Sequence, residues 1–296
     1  MSALSAASTS PIRQQCGSGE ETAEGRRQSG CFAVWAETTM SIPYLPAELL
    51  DHVVDYLHDT EHALKNCCLV SKSWIPRTRK HIFADIRLEH EDDLESWKET
   101  FPDPSSSPGH YTETLLVYCL HVVTAADAEA GGWIRGFSQV VHLKLGHFNG
   151  SADTLLPFHG FSPVIKSLSV VFHLLPPSQT FDLILSFPLL EDLTVATYGV
   201  ETDDSDGSDG LPVTTQPPNP PIFTGTLILM APGVKPITRR LMSLPGGIHF
   251  RRFTVTWNHG GDISSITAMV ERCSHTLESL AITCENFGAS IRRLHS

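Results

Sequence analysis

A short alternating element, apolar-x-apolar, recurs along the last two thirds of the chain and constrains the fold more than anything else in it. It stands at Ile86-x-Leu88, Leu115-x-Val117, Leu143-x-Leu145, Leu168-x-Val170, Leu193-x-Val195, Leu227-x-Leu229, Phe253-x-Val255 and Leu280-x-Ile282. Most copies follow one another at roughly 25 to 29 residues, in or near the window of leucine-rich repeats. The step from Leu193 to Leu227 is longer. Alternation with a period of two marks a strand that buries one face. A hairpin needs only a short turn, whereas a parallel neighbour needs a crossover of a dozen or more residues, and each step leaves room for one. Some intervals carry helical spacing. Phe181, Ile184, Leu185 and Leu189 fall on one face of 181–190, and Ile263, Ile266, Met269, Val270 and Cys273 on one face of 263–273. The spacing predicts strand, crossover helix, parallel strand as the repeating unit of an α/β chain.

The longest step holds Glu201-Thr202-Asp203-Asp204-Ser205-Asp206-Gly207-Ser208-Asp209-Gly210, then Pro217, Pro218, Pro220 and Pro221. The crowded carboxylates repel one another, and Gly and Pro oppose regular structure. A disordered acidic and Pro-rich insertion is expected at about 200–221, which a loop tolerates at small entropic cost. Asp203, Ser205 and Asp209 lack the D-x-[DN]-x-[DN]-G order and the distal Glu of an EF-hand, so no calcium loop is expected. Residues 1–39 are rich in Ser, Ala, Gly and Glu and are expected to be a disordered tail. Met40-Ser41-Ile42 leads straight into patterned sequence and is expected to be the usual start. No obvious polar cap follows the last strand, although stacked repeats need caps, so a truncated C-terminus or a fraying last turn is expected.

Ahead of the first strand, residues 42–84 read as three short helices. Pro46 suits a first helical turn, Glu48 the positive end of the helix dipole, and Leu49, Leu50, Val53, Val54 and Leu57 form an apolar face. A second helix is expected over 61–68 with Leu64 and Cys68 on one side, followed by Leu69-Val70-Ser71-Lys72-Ser73-Trp74 and the basic run Arg77-Thr78-Arg79-Lys80. Leu45-Pro46-x-Glu48-Leu49, Leu57 and Leu69-Val70-Ser71-x-Ser73-Trp74 together resemble an F-box, the segment that docks a Skp-type adaptor in cullin-based ubiquitin ligases. The strand array of 85–296 resembles the irregular leucine-rich repeats that follow F-boxes in many fungal proteins, notably an expanded basidiomycete group. Thr224-Gly225-Thr226-Leu227-Ile228-Leu229, Leu244-Pro245-Gly246-Gly247-Ile248-His249-Phe250 and Cys273-Ser274-His275-Thr276-Leu277-Glu278-Ser279-Leu280 carry that likeness. The repeat asparagine is not consistently present: Gly146-His147 and Ala196-Thr197 follow two of the strands.

The resemblance implies a three-helix F-box followed by a curved solenoid with a parallel sheet. It implies the substrate-recognition subunit of an SCF-type cullin-RING ubiquitin ligase, with the repeats holding a protein target. The residues expected to face the adaptor are Leu45, Pro46, Leu49, Leu50, Val53, Leu57, Leu69, Val70 and Trp74. Some of these must instead hold the helices together, and only Leu45 and Pro46, which precede or open the first helix, have no internal packing duty. Trp74 could be a binding anchor or a core plug. The alternatives are a scaffold that binds the adaptor without joining a ligase, and an enzyme with a divergent site.

Composition limits other classes. The net charge of −12 argues against sequence-independent nucleic-acid binding, which needs a basic surface, and no apolar run approaches a membrane span. Seven scattered cysteines without a CxxC spacing point to a reducing compartment, cytosol or nucleus. The sequence holds no GxSxG, HExxH, P-loop or GxGxxG motif, so no catalysis, metal or cofactor is expected. His58 and His62 are four apart but straddle a helix break, and read as surface histidines. Cys273 and Cys284 flank the last strand and read as packing residues. The Arg77, Arg79 and Lys80 cluster reads as a solvated helix face, and Arg239-Arg240 and Arg251-Arg252 as similar pairs.

Overall fold

The computed structural model describes residues 46–118, 123–129, 132–148, 152–159, 161–172, 177–197, 221–230, 235–258 and 263–285. The expected tail, Leu45 and the acidic insertion up to residue 220 lie outside these residues. The chain is α/β. Its centre is one open sheet of eight parallel strands: β1 (Asp85–Leu88), β2 (Thr114–Val117), β3 (His142–Phe148), β4 (Ser167–Phe172), β5 (Asp192–Thr197), β6 (Thr226–Met230), β7 (Arg252–Asn258) and β8 (Ser279–Glu285). Their order in space is their order in sequence. Each strand pairs with the one before it, and the apolar-x-apolar copies lie in register, Leu115 beside Leu143 and Leu168 beside Leu193.

Sequential parallel strands joined by crossovers of one hand place every return segment on the same face. That face is the core. The paired residues Leu115, Val117, Leu143, Leu145, Leu168, Val170, Leu193, Val195, Leu227, Leu229, Phe253 and Val255 are buried in it. The returns that cover them include α4 (Glu91–Thr100), α5 (Pro177–Leu185), α6 (Lys235–Met242) and α7 (Ile263–Cys273). These contribute Leu94, Leu183, Ile184, Ile237, Leu241 and Met269 to the same apolar cluster. Other returns are 3-10 turns, at Pro108–Tyr111, Trp133–Gly136 and Ala152–Phe158. The inner positions of β8, Leu280 and Ile282, are exposed, so the last strand lacks cover among the described residues.

The opposite face of the sheet is open and mostly polar. Arg87, Leu116, Lys144, Ser169, Thr194, Ile228, Thr254 and Ala281 form one row across it. Arg87, Lys144 and Ala281 are exposed, Ser169, Thr194, Ile228 and Thr254 half-buried, and only Leu116 buried.

A repeated hydrogen-bond device joins the strand entries. The carbonyl of Ala84 accepts from the N–H groups of Glu113 and Thr114. Glu113 does the same for Val141 and His142, Val141 for Lys166 and Ser167, Lys166 for Glu191 and Asp192, Gly225 for Arg251 and Arg252, and Arg251 for Glu278 and Ser279. The pattern changes once, at the step with the long insertion. Gly225 N–H still donates to Glu191, but Thr226 N–H donates to the Asp192 carboxylate at 2.5 Å. Gly225 suits the position, because a Cβ there would push against that carboxylate and crowd the Glu191 carbonyl.

Among the described residues three helices precede the sheet: α1 (Ala47–Tyr56), α2 (Glu61–Val70) and α3 (Ile75–Ile82), with a 3-10 turn at Lys72–Trp74 before α3. The Ser71 hydroxyl caps that turn by accepting from Ser73 N–H, and Pro76 occupies the first turn of α3. Only Phe83 and Ala84 separate α3 from β1. Phe83 stands edge-on to Trp97 and Phe101 of the first return, with ring centroids 6.4 and 6.3 Å away. Trp97 in turn contacts Phe137 at 5.1 Å. The helices are thereby hooked onto the first end of the sheet by aromatic packing.

Candidate docking surface

Few side chains of α1 to α3 are buried: Val54, Leu64, Cys67 and Thr78. Cys67 is therefore the core cysteine of α2 and Cys68 is half-buried, the reverse of the expected order. On a helix the third and fourth residues after Leu64 both lie on its face, about 60° to one side and 40° to the other, and it is the Cys67 side that turns to the interior.

A part-buried ion cluster fixes α1 against α3. The Arg77 guanidinium donates through Nε to Asp55 Oδ1 at 2.6 Å and through Nη2 to Asp55 Oδ2 at 2.5 Å. His81 Nε2 lies 2.7 Å from Asp55 Oδ1. The Arg77 fork, followed by His81, holds the Asp55 carboxyl well below the usual carboxylate range, and Asp55 raises Arg77 in return. Arg77 is thus an internal clamp rather than part of a solvated basic face, while Arg79 and Lys80 are exposed. Thr78, buried in α3, donates to the Trp74 carbonyl at 2.7 Å.

With the interior assigned, an apolar surface remains. Leu49 and Val53 are each 49 % exposed, Tyr56 87 %, Leu69 85 % and Val70 68 %. Leu49, Val53 and Tyr56 follow one another at i, i+4 and i+7 and form one stripe of α1. Leu69 and Val70 close α2. Of the residues the motif singled out, Pro46 is exposed at the head of α1, and its carbonyl accepts from Leu49 and Leu50 N–H. Leu50, Leu57 and Trp74 are half-buried, and Leu45 lies outside the described residues. Tyr56 escaped the sequence reading, although its seven-residue spacing from Leu49 was the available signal.

The remaining candidates for chemistry disperse. His58 contacts the Asp55 carbonyl and Asp59, whereas His62 contacts Asn66. Cys273 is buried, and burial pushes its thiol up. Its Sγ lies 3.8 Å from the Ile248 carbonyl, as that of a packing residue would. Arg240 sits over the Phe181 ring on the helical side of the sheet, and Arg251 pairs with Glu278. Among the described residues no helix is long and apolar enough to cross a membrane. Comparison with protein-family models, with curated proteins and with solved structures gave no match.

Proposed function

We propose that this chain is the substrate-recognition subunit of an SCF-type cullin-RING ubiquitin ligase, acting in the cytoplasm or nucleus. The observation that carries the reading is the apolar surface of Leu49, Val53, Tyr56, Leu69 and Val70, which the three helices do not use for their own core. These helices carry the residue order of an F-box, and a Skp-type adaptor would cover the surface. The parallel array is read as an irregular leucine-rich-repeat solenoid, whose open polar face supplies an extended surface for a protein target.

The mechanism needs no catalytic residue in this chain. Docking through α1 and α2 fixes the protein to the adaptor and cullin. A target held on the sheet then lies at raised effective concentration relative to a ubiquitin-conjugating enzyme brought by the RING subunit. The short α3-to-β1 junction and the Phe83 hook support this reading, since proximity works only if docking and recognition surfaces keep a fixed relation. Affinity purification of the full chain, with and without proteasome inhibition, tests it. The adaptor and a cullin should co-purify, and targets should accumulate only under inhibition. Adaptor without cullin would indicate a non-ligase scaffold, and neither would overturn the proposal.

A further inference from the structure

The two strand entries at the far end of the sheet bring His249 and His275 together. His249 Nδ1 lies 3.3 Å from His275 Nε2, and the rings meet edge to face with centroids 5.4 Å apart. The contact is framed on both sides by bonds between the same two segments. The Cys273 thiol lies against the Ile248 carbonyl, and the Thr276 hydroxyl donates to the Phe250 carbonyl at 3.2 Å. His275 sits between residues 273 and 276, so it is held opposite His249, between 248 and 250.

The orientation of His249 is also set. Its Nε2 lies 3.0 Å from the Gly246 carbonyl, which can only accept, so Nε2 carries the proton and Nδ1 presents a lone pair. The carbonyl reaches that position through a turn in which Gly247 adopts φ +72 and donates its N–H to Leu244. A ring N–H bound to a backbone carbonyl is the arrangement that orients metal-ligating histidines. The spacing fits as well. Two imidazole nitrogens at about 2.0–2.1 Å from a tetrahedral Zn²⁺ stand roughly 3.3–3.4 Å apart.

We propose that His249 Nδ1 and His275 Nε2 form a two-histidine site for a divalent transition ion of the Zn²⁺ or Cu²⁺ class, clipping together the entries of β7 and β8. Without the ion, His275 Nε2–H donates to His249 Nδ1. On binding, His275 shifts its proton to Nδ1, both lone pairs turn to the ion, and no proton is released. No three His, Cys, Asp or Glu side chains converge among the described residues, so water completes the coordination. Imidazole ligands suit Zn²⁺ and Cu²⁺ over Mg²⁺ or Ca²⁺. The proposal is independent of any docking role of α1 and α2.

The test uses untagged full-length protein titrated with ZnCl₂ by calorimetry and with CuCl₂ by electron paramagnetic resonance. Wild type should take up one equivalent more than H275A and H249A, with a Cu²⁺ signal split by two imidazole nitrogens that both variants lose. H62A, which removes an exposed histidine elsewhere, should keep it. Zn²⁺ should raise the melting temperature of wild type and H62A but not of H275A. Exposed His275 carries the test alone if H249A fails to fold. Equal stoichiometry and equal Cu²⁺ spectra in wild type and H275A would overturn the proposal.

Discussion

At the residue scale, Asp55 separates internal from external duties in the helical segment. Its carboxylate is bound on both oxygens by Arg77 and on one by His81, which ties α1 to α3. The folded value is depressed below the unfolded one, which is about 3.9 for Asp. The resulting stability is present above that value and is lost as pH falls through it toward the folded value. Asp55→Asn should therefore lower the melting temperature at neutral pH and flatten the loss of stability below about pH 4, read by circular dichroism across a pH series. Leu69 has the opposite character, being 85 % exposed. Leu69→Ser should change folding stability by about 0.5 kcal/mol or less in a denaturant titration. The order of Cys67 and Cys68 was not legible, because neighbouring apolar residues differ only in helix phase, which tertiary contacts decide.

At the element scale, all eight strands could be read from the sequence. Alternation survives because one sheet face is buried and the other open, so the period of two is written directly in Leu143-x-Leu145 and its counterparts. The returns were less legible. The helix expected over 181–190 is Pro177–Leu185 instead: Pro188 disfavours helical backbone at Phe187, and the Ser186 hydroxyl turns back to donate to the Leu183 carbonyl. Helix α4 carried an acidic start, Glu91-Asp92-Asp93, and Asp93 accepts from His90 N–H in its cap, but its two buried residues, Leu94 and Trp97, are too few to announce a face. The 3-10 returns have no α-helical period to find. The interior rows should respond as a close-packed core. Leu193 of β5 is fully buried, and Leu193→Ala should cost about 2–5 kcal/mol in the same titration. Gly225→Ala should also destabilise, since Asp192 must release the Thr226 N–H to make room, and Gly225→Ala with Asp192→Ala should recover part of the loss.

At the largest scale, the described residues, all of which fall in the unit Leu45–Ser296, form a helical head joined directly to a one-sided parallel sheet. The junction depends on Phe83 packing against Trp97 and Phe101. Phe83→Ala should speed amide hydrogen exchange in α3 and β1 while leaving β5 to β7 protected, because the far strands keep their own inner rows. The candidate surface itself was half legible. The motif named Leu49, Val53, Leu69 and Val70, all exposed, but it could not separate them from half-buried Leu50, Leu57 and Trp74, and it missed Tyr56. A sequence shows which side chains are apolar. Whether each faces the core or a partner depends on how three short helices rotate about the Asp55 clamp.

The central claim is that the exposed residues of α1 and α2 dock a Skp-type adaptor, and calorimetric titration of the full chain with purified adaptor tests it most directly. Burying one leucine is worth about 1.5–3 kcal/mol. The expected result is 1:1 binding that Leu69→Ser weakens by roughly tenfold to a hundredfold, with an unchanged melting temperature. Absence of binding by the wild-type chain, or equal affinity of Leu69→Ser and Tyr56→Ala with wild type, would contradict it.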